Sequence, residues 1–446
     1  MIRDMLEERN LTALHELLIE MNPVDVAEEL GRLSDADAVR VFRMLQKDVA
    51  ADVFAELSSD VQQEIISKIR DTEITKIVGD MFLDDAVDFI EEMPAGLVSR
   101  VLANITAEQR NLINQFLKYP ENSAGSVMTI EYIALKEHLT VSAAFEKIRR
   151  EGIDSETIYT CYVTGAQRHL VGEISVRTLL LAEPTARVGD IMNTGVISAT
   201  TTDDREEIAN EFRKYGLMTM PVVDNEKRIV GIVTVDDVMT IQEEEATEDF
   251  ELMAAMSPSD EPYLKTSVFS LTKNRLPWLL LLMLSATVTG TIMSGFEEAL
   301  TALPVLMIFI PMLMDTGGNA GSQSSTLVIR GMALEEIGLG DSLRVLWKEL
   351  RVSTLCGVSL GVVNFLKILV LNRMDTMART IRLGISVSIA LFATVVIAKT
   401  VGCLLPLAAK RLKLDPAVMA SPVITTIVDA GALVVYFAIS RVLMGI

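Results

Sequence analysis

Apolar residues recur three and four positions apart through the first 120 residues: Val24, Ala27, Leu30 and Leu33, then Val39, Phe42 and Leu45. That spacing places them on one helix face. Short turns with capping residues separate the runs, as at Leu33-Ser-Asp-Ala-Asp and Leu57-Ser-Ser-Asp60. Three strings resemble one another: Ala27-Glu-Glu-Leu-Gly-Arg-Leu-Ser, Val53-Phe-Ala-Glu-Leu-Ser and Phe89-Ile-Glu-Glu-Met-Pro. A degenerate unit of roughly 25 to 35 residues predicts an all-α superhelical domain over residues 1–124.

From 125 to 243 the period changes and a duplication emerges. Leu170-Val-Gly-Glu-Ile-Ser-Val-Arg-Thr-Leu-Leu180 parallels Ile229-Val-Gly-Ile-Val-Thr-Val-Asp-Asp-Val-Met239. Each follows a strand-like run, Tyr159-Thr-Cys-Tyr-Val-Thr and Met220-Pro-Val-Val-Asp. Each is announced earlier by a similar element, Ser126-Val-Met-Thr and Asp190-Ile-Met-Asn. The pattern resembles paired cystathionine-β-synthase-type (CBS) repeats, which implies an α/β module with a central cleft. By that resemblance adenine nucleotides, ATP among them, are candidate ligands of the cleft. A charged stretch, Thr240-Ile-Gln-Glu-Glu-Glu-Ala-Thr-Glu-Asp-Phe, then reads as a connecting helix over 244–272.

Five apolar segments follow within 273–446: Pro277–Phe296, Leu303–Ile329, Val352–Leu371, Ile381–Pro406 and Ala417–Leu443. Each reaches the roughly 20 residues needed to span a bilayer. With the N-terminus inside, the inner flanks hold Lys265, Lys273, Arg275, Arg330, Arg344, Lys348, Arg351, Lys410, Arg411 and Lys413. The outer flanks hold Arg373, Arg379, Arg382 and Arg441. This asymmetry predicts a cytoplasmic N-terminus and a periplasmic or extracellular C-terminus. The opening stretch is charged rather than signal-like, consistent with a cytoplasmic soluble part.

Charge sharpens the division. Of 40 Lys+Arg and 61 Asp+Glu, residues 1–270 hold 25 and 51, and residues 271–446 hold 15 and 10. An acidic soluble region thus precedes a slightly basic apolar one. The acidity argues against nucleic acid, whose phosphates need Lys and Arg, and suits cations. Three dispersed cysteines, Cys161, Cys356 and Cys403, form neither a disulfide framework nor a metal spacing. No nucleophile–base pair suggests an enzyme.

Two membrane strings could carry chemistry. In Ser421-Pro-Val-Ile-Thr-Thr-Ile-Val-Asp-Ala-Gly, Asp429 is a carboxylate within an apolar segment, costing at least several kcal/mol unless it meets water, a cation or a partner. Thr425 lies one turn before it on the same face. Pro422 should free a carbonyl near Val418. The second string is Ile310-Pro-Met-Leu-Met-Asp-Thr-Gly-Gly-Asn-Ala-Gly-Ser-Gln-Ser-Ser-Thr326, whose glycines permit close helix approach. Asp315 and Asn319 within it, and Ser421, are pore-lining candidates. Oxygen ligands without thiol or imidazole favour a hard cation, and Mg²⁺, which sheds water reluctantly, suits a wide carboxylate-lined site.

The whole chain resembles the MgtE family of magnesium channels or transporters. Gly317-Gly-Asn-Ala-Gly-Ser-Gln-Ser and Ile424-Thr-Thr-Ile-Val-Asp-Ala-Gly are the most specific strings. The resemblance implies a homodimer with one pore between subunits, Asp429 as the pore carboxylate, and cytosolic Mg²⁺ that holds the pore shut. Its candidate regulatory ligands here are Asp84 and Asp88 at i, i+4, Asp204 and Glu206, Asp236 and Asp237, Glu245, Glu248 and Asp249, and Asp415. Gly216 departs from relatives that carry an acid nearby. Rival readings are another CBS-bearing transporter, such as a chloride channel, and a membrane-anchored nucleotide sensor without transport.

Overall fold

The computed structural model describes residues 2–8, 10–259, 263–264, 266–371, 376–419 and 421–445; the side chains of Lys47, Asp48 and Ser421 are not described. The expected flank residues Lys265 and Arg373 and the side chain of the pore-lining candidate Ser421 therefore lie outside the description. The chain divides into two compact units, Met1–Gln242 and Glu243–Ile446.

The first unit opens with ten short helices: α1 (Ile2–Glu7), α2 (Leu11–Glu20), α3 (Pro23–Gly31), α4 (Asp35–Phe42), α5 (Lys47–Ala55), α6 (Ser59–Lys68), α7 (Asp71–Asp80), α8 (Leu83–Glu91), α9 (Ala95–Asn104) and α10 (Ala107–Phe116). Capping side chains set several boundaries: Ser34 Oγ accepts the Asp37 N–H at 3.3 Å, and Thr106 caps α10 reciprocally with Gln109. Ser58, also expected as a cap, makes no side-chain capping bond. Helices stack on their next-but-one neighbours, α3 on α5, α5 on α7 and α7 on α9. That stacking is what a short repeating unit produces when one unit cannot bury its apolar face alone. Edge-to-face rings run through the core, Phe42 on Phe54 at 5.9 Å and Phe54 on Phe89 at 5.1 Å.

The α/β part comprises β1 (Tyr132–Lys136), α11 (Val141–Glu151), β2 (Thr157–Thr164), β3 (Leu170–Ser175), α12 (Val176–Leu181), α13 (Val188–Ile191), β4 (Ala199–Thr200), α14 (Arg205–Tyr215), β5 (Thr219–Val223), β6 (Ile229–Thr234) and α15 (Val235–Met253). Two three-stranded sheets repeat one design: β1 parallel to β2 with β3 antiparallel, and β4 parallel to β5 with β6 antiparallel. The duplicated glycines explain the duplicated motif. A Cβ on Gly231 would sit 2.7 Å from the Thr129 carbonyl oxygen, and one on Gly172 would sit 2.6 Å from Met192 Sδ. Each leading element therefore packs on the other repeat: Thr129 exchanges two 2.8 Å backbone hydrogen bonds with Ile232. The second repeat shares a continuous core with the helical domain, whereas the first has its own.

The second unit holds α16 (Val268–Gly295), α17 (Glu297–Ala302), α18 (Ile310–Ala333), α19 (Ser342–Leu371), α20 (Met377–Arg411) and α21 (Ser421–Met444). All five expected apolar segments carry a long helix. Four of the long helices, α16, α19, α20 and α21, are long and apolar enough to cross a membrane by length and composition. The exception is α18, where the run Gly317–Ser325 replaces apolar side chains with glycines and polar groups. The helices overrun the expected limits, because polar ends continue helically past the apolar stretch. Before α18 the expected segment is instead a 3₁₀ turn, Pro304–Phe309. Pro422 also differs from expectation. It lies in the first turn of α21, where a missing N–H breaks no intrahelical bond, and Val418 belongs to a separate 3₁₀ turn, Pro416–Met419.

Candidate ion path and cation sites

Glycines bring α18 against α21 and α20. A Cβ on Gly321 would lie 2.6 Å from Ile424 Cγ2, and one on Gly317 would lie 2.8 Å from both Thr394 Cγ2 and Val428 Cγ1. Beside this seam a cavity of about 160 Å³ is lined by Met314, Asp315, Gly318, Asn319, Ser322, Thr425 and Asp429. The expected Asp429, Thr425, Asp315 and Asn319 thus converge, joined by Ser322. Asn319 Nδ2 donates to Asp315 Oδ1 at 3.2 Å. Asp429 Oδ1 is buried with no hydrogen-bond partner among the described residues. A buried carboxylate oxygen without a donor is costly and calls for a cation or water. The lining supplies oxygen and amide donors, with no thiol or imidazole.

A second acidic group lies in the first unit. Asp84 on α8 has a buried, unpartnered Oδ1. Burial pushes its carboxyl well above the usual range, reinforced by Asp85, Asp237 and Glu156. Asp85 is pushed up to about 6 by burial and by Asp237, and Asp88 to about 7 by burial and by Asp85. Glu156 reaches about 7 through burial and the charges of Asp236 and Asp237. Asp237 is also raised by burial, although Thr234 Oγ1 donates to its Oδ2 at 2.6 Å and offsets part of the rise. Asp84, Asp88, Asp236 and Asp237 are therefore brought together as expected. Asp85 and Glu156 are additional. Asp85 adjoins Asp84 in sequence and was legible there; Glu156 precedes β2 and only the fold places it here.

A third group lies in the second unit. Burial and the charges of Asp415, Glu245 and Glu248 push Asp249 up to about 6. The expected Glu245, Glu248, Asp249 and Asp415 thus form one acidic neighbourhood, and Asp415 Oδ1 accepts the Ala417 N–H at 2.7 Å. Asp204 and Glu206 join none of these groups. Asp204 caps α14, its Oδ1 accepting the Glu206 N–H at 2.8 Å. Among the described residues no three His, Cys, Asp or Glu side chains are arranged as a complete direct shell for a metal. In the first CBS-like repeat, an open hollow of about 510 Å³ is lined by Ser175, Arg177, Thr178, Leu181, Ala182 and Ile191. Sequence reasoning also passed over Lys399, a buried charge on α20, and the partly buried Glu349 on α19.

Comparison with known proteins agrees with this layout. Residues 310–439 match the MgtE divalent cation transporter family, residues 21–122 the MgtE intracellular N domain, and residues 188–244 the CBS domain. The chain is 35% identical to the magnesium transporter MgtE of Thermus thermophilus over 99% of this chain and 98% of the relative. It is 32% identical to the magnesium transporter MgtE of Bacillus subtilis over 98% and 95%. A crystal structure of the cytosolic domain of the Mg²⁺ channel MgtE in complex with ATP is similar with TM-score 0.51 and 34% identity, covering 54% of this chain and 98% of that one. The soluble part of a magnesium transporter is similar with TM-score 0.52 and 27% identity, covering 55% and 96%. The chain belongs to the MgtE family of magnesium transporters, whose work is transport rather than catalysis.

Proposed function

We propose that the chain is a Mg²⁺-selective channel or transporter of a bacterial inner membrane, shut by cytosolic Mg²⁺. The observation that carries this reading is the buried, unpartnered Asp429 oxygen in an oxygen-lined cavity between membrane helices. Because the lining offers few direct ligands, the ion keeps part of its water shell, as Mg²⁺ prefers. Two copies related by a twofold axis would line one path with paired Asp429 carboxylates. Exposed apolar residues on the first repeat, Tyr159, Leu180 and Leu181, support such a homodimer.

In this reading five membrane crossings leave the termini on opposite sides, with the N-terminus on the cytoplasmic side that carries the more basic flanks. At 24 residues α18 is about 36 Å long, enough to span. It packs on α20 and α21, so its glycine face meets protein. The acids at Asp84, Asp85, Asp88, Asp236, Asp237 and Glu156, and those at Glu245, Glu248, Asp249 and Asp415, are the regulatory sites. Without a divalent ion they repel; with one, the compact arrangement gains the binding energy that the open arrangement lacks. Asp204 and Glu206 are proposed as a further, solvent-exposed site. ATP binding by the CBS module is supported by the ATP complex of the related cytosolic domain.

The decisive experiment is Mg²⁺ uptake by the full chain in proteoliposomes. Asp429→Asn should abolish uptake at equal folded protein; retained uptake overturns the pore assignment.

A further inference from the structure

Lys399 is nine-tenths buried within the long apolar helix α20, a position where a lone ammonium would be prohibitive. Its partners come from two other helices. Lys399 Nζ donates to Ser324 Oγ of α18 at 3.3 Å, and Ser324 Oγ donates to Glu349 Oε2 of α19 at 2.5 Å. Lys399 and Glu349 themselves approach to 3.9 Å, with side chains 7% and 13% exposed. The hydroxyl both accepts and donates, so it bridges the two charges. Ser324 lies two residues beyond Ser322, which lines the cavity. Two residues turn an α-helix by about 200°, so the bridge grips the side of α18 opposite the cavity. At the same level the helices touch backbone to backbone: a Cβ on Gly402 of α20 would collide with the Gly321 carbonyl oxygen.

We propose that Lys399 and Glu349 are positioning residues for the ion path: through Ser324 they clamp α18 to α19 and α20 and so fix where Asp315, Asn319 and Ser322 face Asp429. The clamp acts on cavity geometry and touches no ion. It rests on the reading of that cavity as the ion path.

The test uses the full chain in proteoliposomes with a divalent-sensitive dye. Removing one charge strands the other in the membrane and endangers folding, so the working variant is the neutral pair Lys399→Met with Glu349→Gln, which keeps volume and removes both charges. At equal folded amounts it should raise the half-saturating Mg²⁺ concentration about tenfold, a 1.4 kcal/mol change, and lower the Mg²⁺-to-Ca²⁺ rate ratio. Ser324→Ala, which removes the bridge without altering charge, should move both readouts in the same direction. A purely structural pair would change the amount of folded protein and leave half-saturation and ratio alone; that result overturns the clamp. An Asp429→Asn control separates the two readings. Lost uptake there, with unchanged half-saturation in the pair variant, overturns the clamp alone. Retained uptake in Asp429→Asn overturns the ion path and the clamp with it.

Discussion

Raising the pH in the absence of divalent ions should loosen the packing of α8 against the start of α15 and the residues before β2. The carboxyls of Asp84, Asp85, Asp88 and Glu156 are all raised in the folded arrangement. A raised carboxyl contributes stability that is fully present below its unfolded value, near 4, and is lost as pH climbs through its folded value. The loss therefore falls between about pH 4 and pH 7. For Asp85 the rise from 3.8 to about 6 corresponds to roughly 3 kcal/mol at 1.36 kcal/mol per unit. The others interact with it, so their contributions overlap rather than add. A divalent ion that recovers about 3 kcal/mol must bind the compact arrangement roughly 100-fold more tightly than the open one. Hydrogen exchange of the Leu83–Glu91 segment in nanodisc-embedded protein, corrected for intrinsic rates, reads this directly. Protection in EDTA should fall from pH 5.5 to pH 8, and Mg²⁺ should restore it at pH 8 far more than at pH 5.5. Asp84→Asn with Asp85→Asn should stay protected at pH 8 without Mg²⁺. Equal protection in EDTA at both pH values, or an undiminished Mg²⁺ response in the double variant, refutes the linkage.

Three further outcomes follow from the same geometry. Gly402→Ala forces a methyl against the Gly321 carbonyl oxygen and should cost about 1–3 kcal/mol, seen as a lowered melting temperature with reduced Mg²⁺ uptake. Gly231→Ala meets the Thr129 carbonyl oxygen at 2.7 Å and should destabilise the first unit by a similar amount, measured by thermal unfolding, with α18 exchange unchanged. Asp249→Asn with Asp415→Asn relieves repulsion in the acidic neighbourhood of the second unit, so channel currents should shut with several-fold less internal Mg²⁺; an unshifted inhibition curve in patch recordings removes that pair from the sensor.

Local periodicity made much of this site legible. Asp429 and Thr425 are one turn apart on one helix, and Asp84 and Asp88 likewise, so spacing alone placed each pair on a face. The CBS-like duplication was legible because glycine recurs where two backbones touch, at Gly172 and Gly231. What spacing could not reach is tertiary. Glu156 joins Asp85 and Asp237 only because the repeats exchange their leading elements and dock on the helical domain's core. Asp204 and Glu206 are candidate cation ligands in sequence, but an acid before a helix also serves as a cap, and Asp204 caps α14 here, a role that spacing alone does not distinguish. Pro422 read as a helix interruption because the apolar run continues across it, although the helix begins there.

Lys399 and Glu349 show what separates a structural charge from a site. They lie 50 positions apart in sequence, and the flanking Lys348 and Arg351 made the start of α19 look like a cytoplasmic loop. Folded together, each meets a counter-charge and a shared hydroxyl, so the pair is neutral and asks for nothing more. Asp429 and Asp84 are the converse. Each retains a buried carboxylate oxygen with no donor among the described residues. In the cavity, no Lys or Arg stands among the lining residues, and around Asp84 the neighbouring charges are themselves acids. A cation arriving from solution would satisfy both places, as water would in part, and removing it should be felt at both. Chelation on the cytosolic side should therefore loosen α8 and relieve the Mg²⁺ block on transport together, whereas chelation of the Lys399→Met, Glu349→Gln variant should loosen α8 to the same extent as in the unaltered protein.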